Sequence, residues 1–169
     1  RQIDLIMTEF APVAQKFLKH VAKINGLEKM TFADWKLDLD SALNPDVTID
    51  DAYELVMKSV APLGEEYTRE IANYQKERWV DFAANAGKDS GGYATNPYRV
   101  HPYVLMSWTG RMSDVYTLIH EIGHSGQFIF SDNSQSYFNA HMSTYYVEAP
   151  STFNELLLSD YLEHQFDNP

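Results

Sequence analysis

Two histidines four residues apart, with a glutamate directly after the first, stand in the stretch Thr117-Leu118-Ile119-His120-Glu121-Ile122-Gly123-His124. On a helix, positions i and i+4 share one face. His120 and His124 can therefore donate to one metal ion. Glu121 is one position along, beside such an ion rather than on it, where it can take a proton from zinc-bound water. A catalytic zinc takes three protein ligands and keeps a fourth position open for water. The H-E-x-x-H pattern supplies two ligands and a base, so the third ligand must come from elsewhere. Set against this is chance, because the pattern also occurs in helices that hold no metal.

The surroundings favour the metal. Gly123 lies between the histidines, where a small residue admits a close neighbour. Downstream, Tyr145-Tyr146-Val147-Glu148-Ala149-Pro150-Ser151 leads into Thr152-Phe153-Asn154-Glu155-Leu156-Leu157. Glu148 and Glu155 are seven residues apart, two helical turns, and share a face if Pro150 falls in the first turn of a helix. One of them could be the third ligand and the other a carboxylate that orients a ligand histidine. The plainer reading is two solvated helix acids, which apolar Val147, Phe153, Leu156 and Leu157 argue against.

Several elements must carry these groups. Apolar residues at helical spacing predict a helix over 3–25, stopped at Asn25-Gly26, with Pro12 awkward inside it. Residues 27–47 read as an irregular connection. Thr48 is an N-cap for a helix to about Ala61, and Pro62 and Gly64 interrupt before a second run to about Ala86. Lys88-Asp89-Ser90-Gly91-Gly92-Tyr93 is turn chemistry. Tyr103 to Trp108 has β-type residues flanked by prolines and reads as an edge strand. His101 and Tyr103 share a face there, as cleft residues beside an extended peptide or as ordinary strand residues. Helices follow over about 113–130 and 139–165, with a polar loop between them. His141 falls near Glu148 on this reading, and His20 and His164 read as surface residues.

Bulk composition narrows the classes. A chain of 169 residues, 44% hydrophobic and 14% aromatic, has material for a packed core and a lined cleft. A net charge of −11 disfavours nucleic acid and anionic membrane as partners. With no cysteine, disulfides, thiolate metal sites and cysteine nucleophiles are excluded. No apolar run approaches the length of a membrane span, and no phosphate-loop pattern occurs.

His-Glu-Ile-Gly-His followed by Val-Glu-Ala-Pro-Ser-Thr-Phe-Asn-Glu resembles the thimet oligopeptidase (M3) family of zinc peptidases, in its oligoendopeptidase F branch. Pro62 to Tyr67, Gly87 to Tyr93, His101 to Met106 and Asp114 to Leu118 are also similar to that branch. The resemblance implies a mainly α, zincin-like metallopeptidase with a small β element around 88–109. It implies Glu148 as third zinc ligand, Glu155 behind the ligands, and Gly91, Gly92, His101 and Tyr103 bordering the substrate cleft. It implies one zinc ion per chain and oligopeptide substrates, while the acidic composition fits a cytoplasmic location. Gln127 departs from the histidine often found three residues after the second ligand in this family.

In that family the transition-state-stabilising tyrosine and histidine lie well C-terminal of the zinc helices; here they are either absent or cut away, and the chain reads as part of the catalytic domain of a longer polypeptide. Residues 1–86 would be helical scaffold, 87–110 a glycine-rich turn and edge strand, and 111–169 the zinc-binding helices. The alternatives are a peptidase-like binding module without activity and a zinc hydrolase of a non-peptide amide.

Overall fold

The computed structural model describes residues 1–37 and 45–166. The chain divides into two compact units, Arg1–Asn44 and Pro45–Pro169. In the first, α1 (Gln2–Leu5) runs through a π-helical turn at Ile6–Phe10 into α2 (Ala11–Ile24), and Phe32–Lys36 forms a 3₁₀ turn. The π turn lies just before Pro12, which lacks the N–H that a regular ladder would use and crowds the carbonyl four residues back. The expected helix therefore survives the proline by widening one turn. Of its apolar stripe, Val21 is buried, while Ile3, Ile6, Phe10, Val13, Phe17 and Ile24 are exposed. Residues 38–44 of the expected irregular connection lie outside the described residues.

The second unit holds every candidate ligand. Its α3 (Ile49–Ser59) is capped reciprocally: the Asp51 N–H donates to Thr48 Oγ1 at 3.1 Å and the Thr48 hydroxyl donates to Asp51 Oδ2 at 2.6 Å. A 3₁₀ turn at Ala61–Leu63 leads to α4 (Glu65–Ile71) and the short α5 (Asn73–Lys76). The expected helix to about Ala86 ends there. Arg78 adopts φ of 59°, and Val80–Asp81 form a strand, β1. Sheet pairing overrides local helix preference at this point.

Strands β2 (Gly92–Thr95) and β3 (Tyr103–Met106) complete a sheet of order β1-β3-β2, with β1 parallel and β2 antiparallel to β3. The strand expected at an edge is thus the central one. Pro102 lies outside its ladder, so both of its sides are free to pair. The glycine-rich stretch read as a turn runs into one of the two edge strands, β2. Val104 and Met106 face the core, and Tyr103 and Leu105 face outward.

Two long helices close the unit, α6 (Met112–Ser134) and α7 (Glu148–Phe166). Asp114 starts α6, its Oδ2 accepting the N–H groups of Thr109 (2.7 Å) and Arg111 (3.1 Å). The helix outlasts its expected end because the polar run after Phe130 is tied down. Buried Asp132 accepts from Asn96 Nδ2 at 2.7 Å and from the Arg99 N–H at 2.8 Å. Residues 139–147 are turns rather than the start of the last helix. Pro150 sits in the first turn of α7, where no intrahelical N–H is needed. Val115, Leu118, Ile119 and Ile122 of α6 join Val56, Val60, Ile71, Tyr74 and Leu158 in the core. Burying that stripe leaves the other face of α6 to β2 and the start of α7.

Candidate metal centre

The crossing of α6 and α7 is set by a glycine. A Cβ on Gly123 would lie 2.7 Å from Ser151 Cα and 2.9 Å from the Pro150 carbonyl oxygen. The two backbones touch there, which draws the first turn of α7 over the two histidines. Glu148 Oε2 lies 3.2 Å from His120 Nε2 and 3.3 Å from His124 Nε2. One donor atom from each of the three residues falls within 4.8 Å of the others. Tetrahedral ligands at metal distances of 2.0–2.2 Å stand ~3.3–3.6 Å apart along their edges. The carboxylate–imidazole spacings match that edge, and two neutral imidazoles with one carboxylate are a donor set suited to a borderline divalent ion.

Both sides of this cluster are supported. Glu155 Oε1 lies 2.6 Å from His120 Nδ1. A carboxylate there fixes the proton on Nδ1 and leaves the Nε2 lone pair directed at the cluster. Fully buried Ser151 reaches Glu148 Oε2 at 2.9 Å and the Glu148 carbonyl at 3.0 Å, which orients that carboxylate. Burial pushes the His124 ring below its ordinary value, while the Glu148 charge pulls it back up. His124 therefore favours the neutral, ligating form.

Glu121 stands beside the cluster with 6% of its surface exposed. Burial raises its carboxyl above the usual range; His120 opposes this, Glu148 adds to it, and the Ala94 N–H favours the charged form. Gly92 brings β2 down onto this carboxylate, since a Cβ there would lie 2.8 Å from Glu121 Oε1 and 2.7 Å from Thr117 Cγ2. The Ser107 N–H bonds the Gly91 carbonyl at 3.1 Å, which sets the phase of the ladder. Tyr93 and Thr95 then pair with β3, and Gly92 and Ala94 turn their backbone groups outward toward α6.

A cleft of about 320 Å³ opens over the cluster between β2 and the α6–α7 crossing. Gly92 lines it, and Gly91 lines an adjoining hollow with Tyr116, Thr117 and Glu155. His101 and Tyr103 lie elsewhere. The His101 ring stacks on Trp79 with centroids 5.7 Å apart and borders a separate cavity with Glu70 and Asp132. Tyr103 lines a groove on the outer face of the sheet. His141 is exposed and packs near Tyr137. Gln127 is buried and donates to Ser131 Oγ at 2.7 Å, pointing into α6 rather than the cluster. Sequence reasoning missed Ala94, which acts through its backbone, and Ser151, Phe128 and Val147. For Phe128 and Ser151, helical spacing from His124 and Glu148 was the available signal, and Val147 directly precedes Glu148 in sequence.

Comparison with known proteins agrees with the earlier resemblance. Oligopeptidase PepF of Bacillus subtilis is 32% identical over 157 residues, covering 93% of this chain and 23% of the relative. Group B oligopeptidase PepB of Streptococcus agalactiae is 31% identical, covering 89% of this chain and 25% of the relative. A crystal structure from Chlamydophila abortus superposes with a TM-score of 0.74 at 32% identity, over 92% of this chain and 26% of that one. The structure of PZ peptidase A with an inhibitor gives a TM-score of 0.74 at 22% identity, over 95% of this chain and 29% of that one, a likeness of fold alone. The chain spans about a quarter of the length of these curated relatives. The family model that matches, Peptidase family M3, takes in residues 2–169, and the chain belongs to that family.

Proposed function

We propose that this chain carries the zinc site of a metalloendopeptidase that cuts oligopeptides, as part of a longer polypeptide. The observation that carries the reading is the convergence of His120, His124 and Glu148 beside the buried carboxylate of Glu121. One zinc ion per chain would be held by those three residues, with Glu155 and Ser151 orienting them. Zinc when bound supplies Lewis acidity, which makes water more acidic and polarises a carbonyl. Glu121 takes a proton from the attacking water and passes it to the leaving amine. Its raised carboxyl, closer to neutral than an ordinary glutamate, suits both halves of that transfer. The outward carbonyls of Gly92 and Ala94 offer an extended peptide backbone a pairing edge over the cleft. Pairing by main chain accepts many sequences, in keeping with the names of the oligopeptidase relatives.

The test separates the ligands from the base. In the full-length protein, Glu121→Gln keeps about one zinc by elemental analysis and loses peptide turnover at least ~100-fold. Glu148→Ala loses the metal itself. Turnover that survives in Glu121→Gln would refute the base assignment, and full zinc content in Glu148→Ala would refute the third ligand.

A further inference from the structure

Asp132 follows Glu121 by eleven residues on α6. At ~3.6 residues per turn that is about three turns, so the two carboxylates lie on one face of the helix. Both meet the same stretch of chain. The Glu121 carboxylate lies against Gly92 of β2, where a Cβ would stand 2.8 Å from its Oε1. Buried Asp132 receives the chain just after that strand ends. Its Oδ2 accepts from Asn96 Nδ2 at 2.7 Å and from the Arg99 N–H at 2.8 Å. At the very end of α6, the Tyr98 hydroxyl donates to the Gln135 carbonyl at 2.8 Å. Arg99 takes φ of 59°, a left-handed conformation that a bulky residue holds only where its surroundings fix it. The connection from β2 to β3 is thus strapped to the end of α6 rather than closed as a tight turn.

Strand β2 has little else to fix it lengthwise. It is an edge strand with glycine and alanine at two of its four positions, and it pairs with β3 alone. A short strand with so little side chain specifies its register weakly, and a long connection does not set register for it. We propose that Asp132 is a positioning residue for the reaction: by holding the exit of β2 on the end of α6, it fixes where the strand stands beside the Glu121 carboxylate. This rests on the peptidase reading. The base and the strap belong to one rigid helix, so the rise of α6 sets the distance between them. Released at Asn96 and Arg99, β2 keeps its partner strand but loses this second reference, and its backbone shifts relative to Glu121. Both donors fall on one oxygen of Asp132, so an amide oxygen at the same place can accept both.

The test uses the full-length, zinc-loaded protein with Asp132→Ala, Asp132→Asn and Asn96→Ala. Hydrogen exchange is followed by mass spectrometry over residues 92–96 and 118–126. In Asp132→Ala, exchange over 92–96 should rise at least ~10-fold more than over 118–126. Peptide kcat/KM per zinc-loaded molecule should fall about 10- to 100-fold, while zinc affinity by chelator competition stays at the wild-type value. Asp132→Asn should return most of both changes. Should Asp132→Ala fail to fold, Asn96→Ala removes one of the two donors and should move both readouts the same way by at least ~3-fold. An equal rise over both segments, or kcat/KM unmoved in Asp132→Ala, overturns the positioning role while the peptidase reading stands. A local rise reversed in Asp132→Asn, in a protein whose wild type cuts no peptide, supports the strap and overturns the peptidase reading. Neither a local rise nor cleavage overturns both.

Discussion

Replacing Gly123 by alanine tests whether the helix crossing is what assembles the ligands. The added Cβ would stand 2.7 Å from Ser151 Cα, 2.9 Å from the Pro150 oxygen and 3.0 Å from Ser151 N. Carbon atoms in contact prefer ~3.5–4.0 Å. Relief therefore needs about 1 Å of separation, and every atom in the way is backbone, so no rotamer change supplies it. The start of α7 must move, and Glu148 moves with it. Ligand distances tolerate only about 0.2 Å. Overpacking of this kind costs about 1–3 kcal/mol of folding stability, and a displaced ligand should weaken metal affinity about 10- to 100-fold. Chelator competition on the full-length protein reads the affinity, and urea unfolding of the metal-free form reads the stability. Wild-type values for both would show that α7 is not positioned by this contact, and the account of how Glu148 reaches the histidines would fail.

Other perturbations separate the remaining parts. Gly92→Ala should leave zinc content unchanged and lower turnover about 100-fold, because its Cβ pushes the Glu121 carboxylate aside; normal turnover would contradict that placement. Glu155→Gln removes the charge behind His120 Nδ1 and should weaken zinc binding about 10-fold, read by the same competition. Asp132→Ala leaves the Asn96 and Arg99 donors unmet at the far end of α6 and should cost about 1–3 kcal/mol in urea unfolding. In the metal-free protein, His124 has a folded pKa below its ordinary 6.5, so the unfolded chain binds that proton more readily. Its neutral ring keeps its full contribution above 6.5, and stability falls as pH drops through 6.5 toward the folded value. A His124→Gln variant should show a flatter urea midpoint across that range, and an equally steep one would assign the slope to another group.

The parts of this site that helical period controls were legible in the sequence. His120, Glu121 and His124 are fixed relative to each other by one turn of α6, and Glu148 and Glu155 by two turns of α7. What periodicity cannot state is how two helices approach, and that depends on Gly123 meeting the backbone of Ser151. The sheet was less legible. Gly92 to Thr95 has a glycine and an alanine where strands prefer branched residues, and its extended form comes from pairing with β3. Val80 and Asp81 were hidden in a helical pattern for the same reason, with Arg78 turning the chain. The error over the edge strand followed: prolines near Tyr103 mark the limits of β3, not its position in the sheet. Of the four residues expected to border the cleft, Gly91 and Gly92 lie beside the ligand cluster, at the strand that meets the metal helix, while His101 and Tyr103 line other hollows.

The amide of Ala94 has a further consequence for how this sequence can drift. The group that meets the Glu121 carboxylate belongs to the main chain, so it is present whatever side chain position 94 encodes. Only proline, which has no N–H, deletes it. A contact made this way is invisible in residue identity, and relatives can differ at position 94 while keeping the same partner for the carboxylate. The constraint falls instead on Gly92, two residues earlier, where the space for a Cβ is already taken.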